Sequence, residues 1–229
     1  MNKNTCTTVK LAKGEMNVYD FGNVKLHAYK TKDFIDDEVF IVEKNGKAVV
    51  IESPCFFDNI KELTEYLENV KVEGMLIAYH GAGATYLPDV SKYATKNAVD
   101  FSENGGGIDF VIKQTDDAFD VEIPEINATY THMLGHDCHS IVAGAGHADA
   151  MIAELNSYIE KGYDLILTSH YTPEDLKDAQ TKIEYLENLK KIAAGVKNAD
   201  EFKAEVGKQY PQYSGQNYLD MTAGFFFAK

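Results

Sequence analysis

Residues 75–85 read MLIAYHGAGAT, an apolar run that ends in one histidine followed by glycine, alanine and threonine. The run from Met75 to Tyr79 is apolar enough to form a strand that is covered on both faces. In the loop His80–Thr85, imidazole is the one strong metal ligand, because glycine and alanine side chains have no donor atom. This loop therefore supplies at most one side-chain nitrogen to a site at the end of the strand.

The sequence before this strand predicts two hairpins and a helix. Alternating apolar residues over 18–29 turn at Gly22-Asn23, and those over 39–51 turn at Asn45-Gly46, which tolerates positive φ. From Asp58, which we expect to cap the first turn, the apolar period becomes helical. The later pattern predicts a helix over 93–101, a short helix over 109–118, strands over 126–134 and 140–143, a helical stripe over 151–159, a strand over 165–167 and a long helix opened by Pro173 and Glu174.

Composition predicts a single domain spanning residues 1–229. With 45% hydrophobic and 11% aromatic residues the chain can bury a large core, and no repeat or Pro-rich linker divides it. Hairpins followed by alternating strands and helices favour an α/β protein in which a mixed sheet is layered with helices.

Charge and cysteine usage limit the partners and the compartment. The formal net charge of −14 repels nucleic acid and anionic membrane surfaces. No segment approaches the roughly 20 apolar residues of a membrane span, and we predict neither a signal peptide nor a membrane partner. Cys6, Cys55 and Cys138 are too scattered for a disulfide framework, which favours a cytoplasmic protein.

Three histidines, His80, His136 and His170, lie at the ends of predicted strands or in the loops that follow them. Loops at strand ends gather functional side chains in α/β proteins, so these histidines are candidates for one shared site. The alternative is that each is a hydrogen-bonded structural residue. A fourth histidine, His132, alternates with Tyr130 and Leu134 and is predicted to be a packed strand residue.

The motifs around these histidines resemble the metallo-β-lactamase fold superfamily. Val39–Ser53 is similar to the family's paired strands, with Glu52 at the position of the aspartate that braces the metal loop. HGAGAT occupies the place of the HxHxDH signature, LGHDCHS at 134–140 is similar to GHTxGS, and TSHYTP at 168–173 is similar to the late PGH motif. The resemblance implies an αββα sandwich, with mixed sheets inside and helices on the outer faces.

Departures from the family signature change the expected chemistry. Ala82, Ala84 and Thr85 stand where the family has metal ligands, so we do not expect a dinuclear zinc mechanism. The resemblance leaves room for one zinc or iron ion held by His80, His136 and His170. Glu52 and Asp137 are then the candidate catalytic carboxylates, with Asp149 as a further candidate for the proton transfer.

Two functions therefore remain open from the sequence. One is a mononuclear metal-dependent hydrolase of low activity on a small molecule, and the other is a metal-free ligand-binding or regulatory protein. Gly81-Ala82-Gly83 and Gly144-Ala145-Gly146 also resemble the start of a dinucleotide-binding GxGxxG, but each lacks the third glycine. Cys138, between His136 and His139, is a possible nucleophile, although a buried structural thiol is the favoured interpretation.

Overall fold

A computed structural model describes residues 6–33, 36–79, 87–94, 97–98, 101, 104–114 and 118–228. Within these residues the chain forms short strands and five α-helices, and a 3-10 turn, Pro124–Ile126, precedes β12. The strands are β1 Cys6–Lys10, β2 Glu15–Asp20, β3 Lys25–Lys30, β4 Glu38–Lys44, β5 Lys47–Ile51, β6 Lys71–Ile77, β7 Lys92–Ala94, β8 Asn104–Gly105, β9 Ile108–Asp109, β10 Val111–Gln114, β11 Phe119–Ile123, β12 Ala128–Thr131, β13 Leu165–Thr168 and β14 Tyr171–Glu174. The helices are α1 Phe57–Tyr66, α2 Ala145–Lys161, α3 Leu176–Gly195, α4 Ala199–Gln209 and α5 Gln216–Phe227.

The first mixed sheet has seven described strands in the order β1-β2-β3-β4-β5-β6-β7. Both predicted hairpins are present, and Asn45 and Gly46 turn the second with φ of 54° and 75°. After β5 the direction changes, because α1 returns the chain so that β6 pairs with β5 in parallel. β7 then pairs with β6, also in parallel.

The second mixed sheet has the described order β10-β11-β12-β13-β14. β10, β11 and β12 are antiparallel neighbours, whereas β12 and β13 are parallel with Thr131 opposite Thr168. This register brings the residues that follow the two strands to the same edge of the sheet.

The two sheets share one apolar core. Leu26, Phe40 and Ile51 of the first sheet belong to the same buried cluster as Phe119 and Leu167 of the second. On the opposite face of the first sheet, alternate residues form another cluster that includes Leu63 of α1. The order of layers is thus α1, the first sheet and the second sheet, as the alternation of apolar residues along the strands requires.

The described chain divides into two compact units. Unit 1 comprises Met1–His132 and Asp164–Glu174, and unit 2 comprises Met133–Tyr163 and Asp175–Lys229. Unit 1 contains both mixed sheets and α1, and unit 2 contains α2 to α5. The single domain over 1–229 stays a prediction.

Helix ends in unit 2 follow ordinary capping chemistry. Asp175 caps α3 by accepting the backbone N–H groups of Lys177 and Asp178, and the Asp178 side chain accepts the N–H of Asp175 in return. Gly162 ends α2 in the left-handed region with φ of 68°. Within the described residues, the helices include none with the length and apolar character needed to cross a bilayer.

Several predicted elements are wrong. Residues 92–94 and 111–114 form edge strands instead of helices, because short weakly apolar runs fit either period until a neighbouring strand pairs with them. Residues 140–143 form no strand. The N-cap of α1 is Phe56, while Asp58 pairs with Lys13 at 2.7 Å. Residues 171–174 form β14, so α3 begins later than predicted, at Leu176.

Candidate functional site

Strand ends of unit 1 carry the candidate site. Glu52 is the first residue after β5, and Tyr79 is the second residue after β6. In the second sheet, His132 is the first residue after β12, and His170 is the second residue after β13. Because β5 and β6 are parallel, as are β12 and β13, each sheet delivers its pair of residues to one edge.

Glu52 is a fully buried carboxylate in a left-handed backbone conformation, with φ of 70°. Its Oε1 accepts the backbone N–H groups of Ala78 at 3.1 Å and Tyr79 at 2.8 Å. The hydroxyl of Tyr130 also donates to Oε1, at 2.8 Å. These contacts hold the end of β6 against the end of β5 and give Glu52 the bracing role that the family resemblance implies. Its role as a catalytic carboxylate stays a prediction.

His132 is exposed, in contrast to the packed strand residue that its alternation predicts. Its Nδ1 lies 2.7 Å from Oγ of Ser169, which in turn lies 2.7 Å from the Tyr130 hydroxyl. Its ring stacks on that of Tyr79, with centres 4.4 Å apart and planes inclined by 16°. Hydrogen bonding and stacking together fix the orientation of an imidazole that solvent reaches.

His170 is oriented by a buried acid. Its Nδ1 lies 3.3 Å from Oδ1 of Asp37, whose side chain is fully buried. The thiol of Cys55 also hydrogen-bonds to Asp37, and burial followed by this hydrogen bond raises the pKa of Cys55 to about 12. Cys55 therefore stays a protonated thiol at neutral pH, and thiolate chemistry at this position is not expected.

His132 and His170 lie side by side, with ring centres 5.4 Å apart and planes inclined by 64°. Two imidazoles on one tetrahedral zinc, with bonds of about 2.0–2.1 Å, place their ring centres about 5 Å apart. Nδ1 of His132 makes a hydrogen bond to Oγ of Ser169, and Nδ1 of His170 faces the Asp37 carboxylate at 3.3 Å, and a side-chain oxygen beside Nδ1 is the usual support of a metal-binding histidine. The distance between the ring centres therefore matches that of two ligands of a single metal ion.

The other predicted site residues belong to unit 2 or lie outside the described residues, and the metal-binding roles predicted for His80 and His136 stay predictions. His80 is outside the described residues, as are Ala82, Ala84 and Thr85. His136 belongs to unit 2, where its Nδ1 lies 3.5 Å from Oδ1 of Asp178.

The remaining carboxylates predicted for proton transfer both lie in unit 2. Asp137 is exposed, and its backbone carbonyl accepts the N–H of Ser214. Asp149, on α2, pairs with Lys190 of α3. The roles predicted for these residues stay predictions.

The nucleophile interpretation of Cys138 gains no support. Cys138 is buried, and its thiol contacts the carbonyl of His139 at 3.4 Å. The ring of His139 instead bonds to the Tyr185 hydroxyl at 3.0 Å, and burial lowers its pKa, as does the charge of Lys182. A thiol without an imidazole partner stays inert, as the structural interpretation predicts.

The position of His132 beside His170 was not predicted from the sequence. This position depends on the pairing of two strands that are distant in sequence. Thr131 lies opposite Thr168, which places His132 beside Ser169 and His170. A sequence reading that paired the apolar strands 128–131 and 165–168 in parallel would have found it.

Comparison with solved structures places this fold among known ones. The DIM-1 metallo-β-lactamase matches with a TM-score of 0.54 and 14% identity, over 80% of this chain and 99% of that protein. A metallo-β-lactamase from Erythrobacter litoralis matches with a TM-score of 0.53 and 11% identity, over 81% of this chain and 97% of that protein. The TMB-1 structure matches with a TM-score of 0.53 and 14% identity, over 78% of this chain and 99% of that protein.

The sequence itself matches no protein-family description, and a search of curated proteins finds no match. The likeness is thus one of structure, at identities too low to transfer an activity. It confirms the resemblance and the fold class that the motifs predicted. The chain has the metallo-β-lactamase fold, an α/β architecture with two mixed sheets.

Proposed function

We propose that this protein has a reduced metal site that binds a single ion through His132 and His170. In this proposal it acts at most as a slow mononuclear metal-dependent hydrolase of a small molecule. The supporting observation is the pair of imidazoles at adjacent parallel strand ends, 5.4 Å apart between ring centres. A pair of inert surface histidines has no need for the buried oxygen partner that each Nδ1 has here.

The donor type favours zinc or iron as the ion. Imidazole suits both metals, whereas magnesium and calcium prefer oxygen ligands. The sequence motif proposes His80, which lies outside the described residues, as a third ligand. Three protein ligands and an open position are the common arrangement of a catalytic zinc site.

The site is reduced because the sequence has no second set of ligands in the loop after β6. Ala82, Ala84 and Thr85 replace residues that the family signature uses for metal binding, and no side-chain donor atom remains at the two alanines. This composition argues against a dinuclear mechanism and favours weak hydrolysis.

Each residue of unit 1 then has a defined task. His132 and His170 bind the ion, and Ser169 and Asp37 hold their rings. Glu52 fixes the strand end beside them and is saturated by three donors at Oε1, so it suits positioning better than proton transfer. When bound, the ion would supply a Lewis acid toward water and a polar substrate group.

The proposed partner is a small molecule. The similar structures are metallo-β-lactamases, and one of them was exposed to ceftazidime, so a β-lactam belongs in a first panel with chromogenic esters, thioesters and phosphodiesters. The net charge of −14 supports no nucleic-acid or membrane partner.

Elemental analysis of protein purified without chelator or added metal tests this proposal. We expect about one equivalent of zinc or iron in the wild type and less than about a tenth of an equivalent in His132→Gln and His170→Gln. His147→Gln, which changes an exposed histidine on α2, is the matched control and should keep the metal.

Metal-free wild-type protein would instead favour the alternative function, a ligand-binding or regulatory protein without a catalyst. In that case, hydrolysis of every reporter in the panel should be absent, and added chelator should leave any ligand-induced thermal shift unchanged.

A further inference from the structure

A chain of four side chains runs through unit 1 from a buried acid to an exposed imidazole. The Tyr130 hydroxyl lies 2.8 Å from Oε1 of Glu52 and 2.7 Å from Oγ of Ser169. The same Oγ lies 2.7 Å from Nδ1 of His132. Glu52, Tyr130 and Ser169 are all fully buried, so water does not compete for these hydrogen bonds.

The donor and acceptor of each hydrogen bond in this chain can be assigned by starting from Glu52. Backbone N–H groups can only donate, and those of Ala78 and Tyr79 both point at Oε1 of Glu52. Oε1 is therefore an acceptor that carries no proton. Tyr130 must donate its one hydroxyl proton to Glu52, and its oxygen is left to accept from Ser169.

The same assignment of protons extends to the imidazole of His132. Ser169 has one hydroxyl proton, which it gives to Tyr130, so its oxygen can only accept from His132. Nδ1 of His132 must then carry a proton.

We propose that Glu52, through Tyr130 and Ser169, fixes the tautomer of His132 so that Nδ1 carries the proton and Nε2 carries the lone pair. The His132 ring therefore offers Nε2 as a donor atom. His170 has a carboxylate oxygen of Asp37 3.3 Å from its Nδ1. Glu52, Tyr130 and Ser169 are positioning residues, since they act on the site through His132.

We call the hydrogen-bonded chain Glu52–Tyr130–Ser169–His132 the relay. Its effect on metal affinity rests on the proposed metal binding. A neutral imidazole binds a metal only through the nitrogen that lacks a proton, and a free imidazole populates both tautomers. A ring held in one tautomer loses no binding energy to rearrangement. The tautomer itself depends only on the hydrogen bonds and exists without any ion.

Nitrogen-15 NMR of metal-free protein tests the tautomer directly. The spectra are recorded at about pH 9, well above the ordinary imidazole pKa of about 6.5. We expect Nε2 of His132 at the downfield, unprotonated position and Nδ1 at the upfield, protonated position, with the resonances assigned by their loss in His132→Gln. Protonated Nε2 or an equal mixture in the wild type would overturn the inference.

Two variants test the relay. In Tyr130→Phe the Ser169 hydroxyl loses its acceptor and can donate to Nδ1, so the Nε2 resonance should shift upfield. Ser169→Ala should shift it in the same direction. Tyr79→Phe keeps the stacked ring and lies outside the relay, and it should leave the resonance unchanged. An unshifted Tyr130→Phe, or a Tyr79→Phe that shifts as far, contradicts the relay.

The inference and the proposed function fail separately. If the tautomer is as expected but elemental analysis finds no metal, the relay stands and the metal site falls. If the metal binds but the wild-type ring is a mixture, the metal site stands and the relay falls.

Discussion

The imidazole of His132 stacks on the ring of Tyr79, with centres 4.4 Å apart. The Tyr79 hydroxyl donates to Oδ1 of Asp120 at 3.1 Å, so the ring is held at both ends. The stack joins the end of β6 in the first sheet to the end of β12 in the second. It therefore couples the stability of the two sheets to the position of an exposed histidine.

Tyr79→Ala should destabilise the protein by about 2 kcal/mol, because a half-buried aromatic ring and its stacking partner are lost. Tyr79→Phe keeps the ring, loses the hydrogen bond to Asp120 and should cost about 1 kcal/mol. Urea unfolding followed by circular dichroism measures both. Equal losses in the two variants would show that the stack contributes nothing.

Glu52→Ala should destabilise the protein by about 3 kcal/mol or more, since it strands the N–H groups of Ala78 and Tyr79 and the hydroxyl of Tyr130 in the core. Glu68→Ala removes an exposed carboxylate from the same sheet–helix region and should stay within about 0.5 kcal/mol of the wild type. Equilibrium unfolding in urea compares them, and similar midpoints for the two variants would refute the bracing role.

Glu38 makes stability depend on pH. The side chain is fully buried, and among the described residues no donor reaches either carboxylate oxygen. Burial, opposed by Lys30 and reinforced by Asp36 and Glu15, raises its pKa from 4.5 to about 8. The folded state therefore holds this proton more tightly than the unfolded state does.

The tighter proton binding of Glu38 in the folded state adds to the free energy of unfolding, on the order of a few kcal/mol. This contribution is fully present below about pH 4.5 and is lost as the pH rises to about 8. Glu38→Gln stays neutral, so we expect its stability relative to the wild type to increase across that window and level off above it. Urea unfolding at about pH 5, 7 and 9 measures the difference. A difference that does not change with pH would mean that Glu38 does not titrate in the window.

Lys182 stabilises the loop before α2. It is 2% exposed, and its Nζ donates to the carbonyls of Gly135 and Cys138 at 2.8 and 2.9 Å. Lys182→Met keeps the aliphatic stem but removes both bonds, at a cost of about 2 kcal/mol. Lys191→Met, on the exposed side of α3, should change the unfolding free energy by less than about 0.5 kcal/mol. Denaturant unfolding that ranks the two lysines the other way would contradict this role.

Local sequence patterns were sufficient for the two hairpins of the first sheet. Alternation over 15–51 and the Asn45-Gly46 turn determine both hairpins, because adjacent antiparallel strands need only short-range information. The helix over 145–161 and the strand over 165–168 also follow from local periodicity. The motifs extended this to the whole fold.

The errors lie where a neighbouring strand, a strand end or a helix cap decides the structure and the apolar pattern of the segment does not. Residues 111–114 become a strand because β11 pairs with them, and their own pattern does not reveal it. His132 was predicted to be a packed strand residue because it alternates with Tyr130 and Leu134, yet the strand ends at Thr131. The first turn of α3 was misplaced because Asp175, and not Pro173, caps it.

The most direct test of the proposed site is an anomalous difference map from crystals of the protein grown with zinc, recorded at the zinc absorption edge. We predict one peak within about 2.0–2.1 Å of Nε2 of both His132 and His170. Two fully occupied peaks in the site, or a single peak that neither histidine contacts, would contradict a reduced centre built on this pair.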